Sequence, residues 1–395
     1  MILGESRLIQ ILMGGDALFG RPTGIGNYTR YLCSELSAMD AVADLKLSMH
    51  GRVADFGATN LADLSGANTK PIQSDAASTG SGKARALKWL AGRKSVIRAY
   101  LKFGAAFEKL SLSKYENTHI FHSPNYVLPN FSGRRVVTIH DLSTVRYPEF
   151  HPPARVELVN AMIDRAVRSD AHIIVDSEII SRELQDIAGL TRERISVVPL
   201  GVPDGFEIPR VDPKKVMEKY GLEAGRFFLH VGTIEPRKNI LRVCEAFKLA
   251  RTSDKSLPIM VFVGDAGWKS ELEHMAIAKL VDRGLARYLE YVPHSDLVAL
   301  YKSAAALVFP SLYEGFGLPT VEAKSCGARV ITSAGTAMES LTDGADILVN
   351  PLATESIADG LVRSVVSGRE RGLAEPTIRR WRQVAEDTLG VYLTL

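Results

Sequence analysis

Short apolar runs alternate with helix-like segments along most of this chain, and this alternation limits the folds open to it. The runs Phe227–Val231, Ile259–Val263 and Ala306–Phe309 are almost continuously apolar. Strands buried on both faces of a parallel sheet have this pattern. Because a helix-length segment separates most successive runs, the sequence predicts βαβ units in doubly wound, Rossmann-like sheets, an α/β fold.

The predicted strands form two sets, and a segment rich in Pro and Gly, 199–206, separates them. The first set is 8–13, 45–50, 119–122, 136–140, 173–176 and 195–199, and the second is 227–231, 259–263, 288–292, 306–309, 330–332 and 347–349. A chain of 395 residues also favours two domains. We predict Rossmann-like domains over 1–201 and 202–375. The remainder, 376–395, should form a helix that packs on its own domain or crosses back to the first.

Composition narrows the class of protein. The formal net charge is only +3, which argues against a nucleic-acid-binding protein. Cys33, Cys244 and Cys326 are far apart in the sequence and fit a reducing compartment. With no signal-peptide pattern and no run of about 18 apolar residues, the sequence predicts a cytoplasmic protein without a transmembrane helix.

The region from residue 57 to 109 departs from the alternation. Residues 57–82 are rich in small and polar residues, which predicts a mobile loop, and 83–109 contain eight Lys/Arg against one acidic residue, Glu108. A basic amphipathic helix here would either lie peripherally on an anionic membrane or cover its own sheet with a solvated face. In the first case the membrane contacts would be Lys88, Trp89, Arg93, Lys94 and Arg98.

Two glutamates stand eight residues apart after a predicted buried strand. Glu314 opens the glycine-rich turn EGFGLP, and Glu322 falls about one turn inside the next predicted helix. The segment therefore lies at the carboxyl edge of the predicted parallel sheet, and ligands bind at this edge of open α/β sheets. Carboxylates accept hydrogen bonds from sugar hydroxyls, while a helix N-terminus attracts phosphate. The segment therefore predicts a site for a polyhydroxyl ligand that carries phosphate.

A second strand–turn–helix segment, GTIEPRKN, places Arg237 and Lys238 at a predicted helix start. Cations there oppose the helix dipole, so the pair makes sense if an anion lies between the cations and the backbone N–H groups. A diphosphate fits, because Arg offers a fork of donors and Lys a point charge; the alternative is two exposed surface cations. The sequence has no Asp-x-Asp and no ligand cluster at metal spacing, so we expect no metal, no cofactor and metal-independent activity.

Weaker signals lie in the first half. Gly24 and Gly26 open a helix predicted from residue 27 to about 38, where they either expose N–H groups to a ligand or form a plain tight turn. Their spacing is not that of a dinucleotide-binding fingerprint. His140 ends a predicted strand, so its imidazole would contact a sugar hydroxyl, assist proton transfer or serve a structural role.

Together these motifs resemble the retaining glycosyltransferases of the GT-B fold, family 4, over almost the whole chain. The resemblance implies a deep cleft between an acceptor-binding first domain and a second domain that binds a nucleotide-sugar donor. It implies that Arg237 and Lys238 bind the donor diphosphate, that Glu322 holds the ribose, and that Glu314 and His140 contact the transferred sugar. The other implied donor-binding residues are Gly24, Gly26, Gly232, Thr233, Tyr291, Val292, Gly315, Phe316, Gly317 and Leu318.

The same resemblance implies a mechanism. Retention without an obvious nucleophile suggests front-side substitution, in which the leaving diphosphate is the base toward the acceptor hydroxyl. Carboxylates act as nucleophiles in glycosidases, but the resemblance favours a binding role for Glu314. The catalytic set would be His140, Glu314, Arg237 and Lys238.

The segments HDLS at His140 and YPEFHP at Tyr147 are similar to those of mannosyltransferases that use GDP-mannose. We therefore predict hexosyl transfer, from GDP-mannose, to a glycan or lipid-linked glycan of a surface polysaccharide or lipopolysaccharide. UDP-glucose and UDP-N-acetylglucosamine are alternative donors. Other classes are a non-catalytic nucleotide-sugar-binding protein, a GT-B epimerase or phosphorylase, and an NAD-dependent oxidoreductase, which the missing fingerprint disfavours.

Overall fold

The computed structural model describes residues 8–19, 24–49, 52–59, 105–366 and 378–395. These residues form two sheets with helices on both faces, so the predicted α/β fold with two Rossmann-like domains is confirmed. Most of the loop predicted over 57–82 lies outside the described residues. So do the residues predicted to contact a membrane, which are Lys88, Trp89, Arg93, Lys94 and Arg98.

The first sheet has seven strands in the order β3-β2-β1-β4-β5-β6-β7. They are β1 (Ile9–Gly14), β2 (Val42–Met49), β3 (Arg52–Asp55), β4 (Ile120–Ser123), β5 (Arg135–Ile139), β6 (His172–Val175) and β7 (Ile195–Val197). All neighbours are parallel except β2 and β3. The edge strand β3 was missed from the sequence, because its four residues begin with Arg52 and end with Asp55 and contain no apolar run.

Helices cover both faces of the first sheet. They are α1 (Gly24–Ser37), α2 (Ala105–Leu112), α3 (Ser143–Arg146), α4 (Pro153–Arg168) and α5 (Glu178–Ala188). On one face Leu32 and Cys33 of α1 pack against β1. On the other, Val159 of α4 and Leu184 of α5 pack against β5 and β6. Ser177 caps α5 by accepting a hydrogen bond from the N–H of Ile180, which fixes where that helix begins.

The second sheet has six parallel strands in the order β10-β9-β8-β11-β12-β13. They are β8 (Phe227–Val231), β9 (Ile259–Val263), β10 (Ala286–Leu289), β11 (Ala306–Phe309), β12 (Val330–Ser333) and β13 (Ile347–Val349). Only β10 lies clearly off its predicted range, 288–292. Its register against β9 starts at Ala286, and Tyr291 and Val292 follow the strand.

The helices of the second domain form two layers with separate cores. They are α6 (Pro213–Tyr220), α7 (Ile240–Ser253), α8 (Glu271–Val281), α9 (His294–Ser303), α10 (Leu318–Ser325) and α11 (Thr354–Val366). On one face of the sheet, α7, α8 and α11 pack through buried residues such as Val243, Ile277 and Leu361. Met217, Leu300 and Ala323 bury α6, α9 and α10 on the other.

The last helix, α12 (Trp381–Leu393), packs on the first domain. Its Trp381 and Tyr392 lie in the same core as Tyr28 of α1. The helix begins later than the predicted residue 376: among the described residues before it, Arg379 accepts a backbone hydrogen bond from Val202 and Arg380 caps the helix. No helix in the described part of the chain is long and apolar enough to cross a membrane.

The loop between β11 and α10 belongs to the second domain and packs against the first. Tyr313 packs into the core around β5 and α4, and Phe316 packs into the core around β1 and α1. The two side chains therefore lie on opposite faces of the first sheet, with Gly315 between them. At Gly315 an added Cβ would lie 1.7 Å from the carbonyl oxygen of His140, so only glycine permits this approach.

Candidate functional site

The two predicted cations lie at the carboxyl end of β8. Arg237 and Lys238 belong to a short 3-10 turn, Pro236–Lys238, that precedes α7. Asn239 then takes a left-handed conformation, with φ of 63°, and its side-chain amide donates to the carbonyls of Pro310 and Pro351. These bonds fix the turn against the neighbouring β11 loop. The cations are therefore held inside the protein rather than on an exposed surface.

Both cations bind Glu314. Arg237 Nη1 lies 2.7 Å from one carboxylate oxygen, and Lys238 Nζ lies 2.6 Å from the other. Burial alone would raise the pKa of Glu314, but Arg237 and Lys238 outweigh it and hold that pKa below its usual value. Burial lowers the pKa of Lys238, and the attraction of Glu314 opposes this effect. The predicted phosphate-binding and sugar-binding residues thus form one ion-paired cluster.

Two carboxylates that sequence reasoning missed complete this cluster. Glu235 accepts a hydrogen bond from Arg237 Nη2 at 2.7 Å. Asp141, from the first domain, is partly buried; burial would raise its pKa, but the charge of Arg237 and the hydrogen bonds from Ser143 outweigh that effect and lower the pKa. The cluster therefore contains two cations and three carboxylates. The only sequence signals were adjacency: Glu235 lies within the GTIEPRKN motif, and Asp141 follows His140.

His140 lies beside the cluster at the end of β5, with both ring nitrogens occupied. Nδ1 is 2.7 Å from Asp176 Oδ2, and Nε2 is 3.0 Å from the carbonyl oxygen of Pro124. A carbonyl oxygen only accepts, so Nε2 carries a hydrogen and donates it. Burial disfavours the charged imidazole, but Asp176 outweighs burial and raises the pKa of His140. Because its Nε2 hydrogen is bonded to the Pro124 carbonyl, His140 is unsuited to act as a general base through Nε2.

A buried polar chain beneath His140 reaches the C-terminal helix. Tyr392 Oη lies 2.5 Å from His122 Nδ1, and His122 Nε2 lies 2.8 Å from Thr138 Oγ1. Tyr28 Oη lies 3.0 Å from the same Thr138 atom, and its ring meets that of His140 edge-on with centroids 4.7 Å apart. Burial lowers the pKa of His122 to about 3, so this imidazole is neutral. Helix α12 thus contributes to the support under His140.

The loop from Tyr313 to Leu318 brings the site against the first domain. Ser177 donates to the carbonyl of Gly315 at 2.7 Å, while Tyr313 Oη donates to Glu183 and accepts from the N–H of Leu142. Gly317 has φ of 106°, which turns the chain into α10 at Leu318. These bonds place Gly315, Phe316, Gly317 and Leu318 at the seam of the two domains, next to His140.

Glu322 lies on α10, apart from the cation cluster. Tyr301 donates to its Oε2 at 2.8 Å, and burial raises the pKa of Glu322. Val292 is buried after β10, whereas Tyr291 beside it is 66% exposed. Val292 and Tyr301, the partner of Glu322, lie in the core on the α9 and α10 side of the second sheet. The structure therefore places the predicted ribose and base residues on one side of the sheet edge.

The predicted glycines occupy different places. Gly232 directly follows β8 and lies under the side chain of Lys238, where an added Cβ would lie 3.4 Å from Lys238 Cε, and Thr233 comes next. Gly24 and Gly26 lie in the first turn of α1, and an added Cβ at Gly24 would meet no atom within 4 Å. Among the described residues, no three His, Cys, Asp or Glu side chains are grouped to hold a metal ion.

Comparisons with known proteins match this architecture. Residues 213–372 match the family described as glycosyl transferases group 1. The chain is 30% identical over 381 residues to the O-antigen chain mannosyltransferase B of Escherichia coli, which covers 94% of this chain and 96% of that protein.

Two solved structures are similar over nearly the whole chain. The sucrose-phosphate synthase of Thermosynechococcus elongatus has a TM-score of 0.69 at 20% identity and covers 98% of this chain and 99% of its own. WaaG, a glycosyltransferase involved in lipopolysaccharide biosynthesis, has a TM-score of 0.63 at 17% identity and covers 97% and 95%. These matches confirm the predicted GT-B fold.

Proposed function

The chain belongs to the group 1 glycosyltransferases, and from that membership we propose that it is a retaining transferase of mannose from GDP-mannose to a glycan or lipid-linked glycan of O-antigen type. The observation that carries the proposal is the cluster of Arg237, Lys238 and Glu314 beside His140. It lies where β8 and β11 end, the edge at which ligands bind in open α/β sheets.

In this proposal Arg237 and Lys238 bind the donor diphosphate. Their ion pairs with Glu314 hold both cations in place before the donor arrives. When the phosphates share the cations, the Glu314 carboxylate becomes free to accept hydrogen bonds from hydroxyls of the transferred sugar. Groups that are already positioned stabilise developing charge without reorganising during the reaction. The two cations would thus stabilise the leaving diphosphate, and we propose that activity needs no divalent ion.

The chemical step follows front-side substitution. The bond between the anomeric carbon and the phosphate oxygen breaks, and the acceptor oxygen bonds to the same face of that carbon. The acceptor hydroxyl proton passes to the departing phosphate oxygen. His140, whose two nitrogens are occupied by Asp176 and Pro124, orients the sugar side of the site rather than taking this proton.

The choice of mannose is supported by the name of the E. coli relative, which matches 94% of this chain. UDP-glucose and UDP-N-acetylglucosamine are the competing donors. A thermal-shift panel of GDP, UDP and ADP with their sugars separates them, because a ligand that binds the native state raises the melting temperature as its concentration exceeds Kd. GDP-mannose should give the largest shift. A larger shift with a UDP-sugar would overturn the donor assignment.

Transfer itself is tested with purified protein, GDP-mannose and an α-mannose oligosaccharide, with and without EDTA. We expect one hexose to be added in an α linkage and equal rates in both buffers. Product of the opposite anomeric configuration would overturn retention, and loss of activity in EDTA would overturn metal independence. Absence of transfer with intact nucleotide binding would favour the non-catalytic alternative.

The proposed acceptor could be carried by a lipid, so a peripheral membrane contact belongs to the same proposal. It rests on the charge of segment 83–109, most of which lies outside the described residues. Flotation with anionic vesicles tests it. We expect salt-sensitive binding that is lost when Arg93, Lys94 and Arg98 are neutralised, and unchanged binding in that variant would contradict the contact.

A further inference from the structure

A second group of buried polar side chains borders the cation cluster, and four of its nitrogen atoms have no hydrogen-bond partner among the described residues. His151 is only 2% exposed, yet neither of its ring nitrogens forms a hydrogen bond. The indole nitrogen of Trp268 and Nε of Arg155 are also buried and unpaired. The three side chains are neighbours: the Arg155 guanidinium lies 4.5 Å from the centre of the Trp268 ring, and the rings of His151 and Trp268 are 5.7 Å apart.

Such a concentration of unpaired nitrogens is unusual. Buried polar groups are nearly always hydrogen-bonded, because an unpaired one loses its bonds to water without replacement. These residues come from both domains: His151 and Arg155 lie at the start of α4, and Trp268 lies in the turn from β9 to α8. The unpaired atoms therefore lie in a seam between domains and are shielded from solvent in this structure, so a molecule reaches and completes them only when the seam widens.

The atom types indicate the chemistry of that molecule. Trp268 and Arg155 offer N–H donors. Burial lowers the pKa of His151, and the charge of Arg155 lowers it further, so its neutral ring offers one donor and one acceptor. An anion would leave the ring acceptor unmatched. Hydroxyl groups both accept and donate hydrogen bonds, so a polyhydroxyl compound satisfies every atom of the set.

The position separates this group from the predicted nucleotide residues. Trp268 leads into α8, which lies in the layer of α7 and α11. Glu322 and Val292 lie on the opposite side of the sheet edge, with α9 and α10. Arg237, Glu235 and Asp141 lie close enough to His151 for their charges to act on it. The group therefore adjoins the proposed site of chemistry from the side opposite to the nucleotide.

We propose that His151, Arg155 and Trp268 form a subsite that binds hydroxyls of the acceptor glycan. The inference rests on the proposed function, because it assumes that this protein transfers a sugar to a glycan. The acceptor is thereby recognised at the seam between the domains. One hydrogen-bond donor of the subsite, the indole N–H of Trp268, comes from the domain proposed to bind the nucleotide sugar. The acceptor would thus be bound fully only when the two domains are together.

The sharpest test is Trp268→Phe, which removes the indole N–H and keeps an aromatic ring under Arg155. Titration calorimetry with a short α-mannose oligosaccharide, in the presence of GDP, measures the subsite without requiring turnover. We expect affinity for the oligosaccharide to fall about fivefold, as for loss of one hydrogen bond between neutral groups. GDP affinity should not change. In a transfer assay, the acceptor KM should rise by the same factor while the donor KM stays constant.

Tyr288→Phe is the matched control, because Tyr288 donates to the Gly264 carbonyl and supports the same turn. It should leave oligosaccharide binding unchanged. Equal oligosaccharide affinity in wild type and Trp268→Phe, or no oligosaccharide binding to wild type, would overturn the subsite. Neither result would contradict the proposed function, which is tested by nucleotide binding and by transfer. Oligosaccharide binding that is sensitive to Trp268, without any transfer, would instead contradict the proposed function and leave the subsite standing.

Discussion

At the scale of single residues, Glu314 controls the state of the cation pair. Its two oxygens bind Arg237 and Lys238 at 2.7 and 2.6 Å. A buried carboxylate in such a position is stabilised by its partners, and it also competes with any anion that approaches them. Binding of a diphosphate therefore requires the cations to exchange one set of oxygens for another. This exchange can be measured separately from catalysis.

Replacing Glu314 with Gln removes the negative charge and keeps the shape of the side chain. Because the competing carboxylate is gone, we expect GDP to bind about tenfold more tightly, the scale of one charge-assisted hydrogen bond. Turnover should fall by about 10²-fold, since the sugar loses a charged acceptor. Titration calorimetry and initial rates check the two effects. Glu271→Gln, at an exposed position of α8, is the control, and weaker GDP binding to Glu314→Gln would contradict the account.

His140 and Asp176 predict a particular dependence of stability on pH. Asp176 raises the pKa of His140 above its ordinary value of about 6.5. The stability that the proton contributes is therefore fully present below about pH 6.5 and is lost as pH rises through the folded pKa. Asp176→Asn lowers that pKa, so most of this loss should vanish.

Urea unfolding between pH 6 and 9 measures this difference. The free energy of unfolding of the wild type should fall relative to that of Asp176→Asn across this range. The fall should be about 1.4 kcal/mol for each pH unit by which the pKa of His140 differs between the two proteins. Asp164→Asn, on the exposed side of α4, should follow the wild type. Parallel curves for wild type and Asp176→Asn would show that Asp176 does not hold the proton on His140.

Among the elements, the loop from β11 to α10 has the largest role in assembling the site. Its Tyr313 and Phe316 enter the two cores of the first domain, and its Glu314 binds the cations of the second. One loop therefore couples the contact between domains to the proposed donor site. The sequence predicted a ligand-binding turn here but not this contact. Periodicity identifies buried strands and helices, whereas the partner of a glycine-rich loop depends on how two domains meet.

Gly315→Ala tests that coupling. Its Cβ would lie 1.7 Å from the His140 carbonyl oxygen, so the two domains cannot keep their present contact. Misplacing reacting groups by about 1 Å can lower a rate 10²-fold, and we expect a loss of that size in kcat. Nucleotide affinity should change less than about threefold, because the second domain is intact. Gly344→Ala, where the added Cβ meets nothing within 4 Å, should keep full activity. Full activity in Gly315→Ala would contradict the coupling.

At the scale of the whole molecule, local pattern predicted the architecture and missed what depends on assembly. Buried parallel strands are continuous apolar runs, so all but the polar edge strand β3 were predicted. Arg237, Lys238 and Glu314 were selected one by one from their motifs. Their mutual pairing depends on β8 and β11 being neighbours in one sheet, and the pairing of Asp176 with His140 depends on β5 and β6 being neighbours in the other. The addition of Asp141 depends on the two sheet edges facing each other. Spacing along the chain does not contain that relation.

The central claim is that the buried cation pair between the two domains binds a diphosphate. Titration calorimetry of GMP and GDP, and of UMP and UDP, into wild type and Lys238→Met tests it most directly. Lys248→Met, on the exposed face of α7, is the control. We expect the preferred nucleoside diphosphate to bind wild type and Lys248→Met at least about tenfold more tightly than its monophosphate, and this preference to be largely lost in Lys238→Met. An undiminished preference in Lys238→Met would contradict the account.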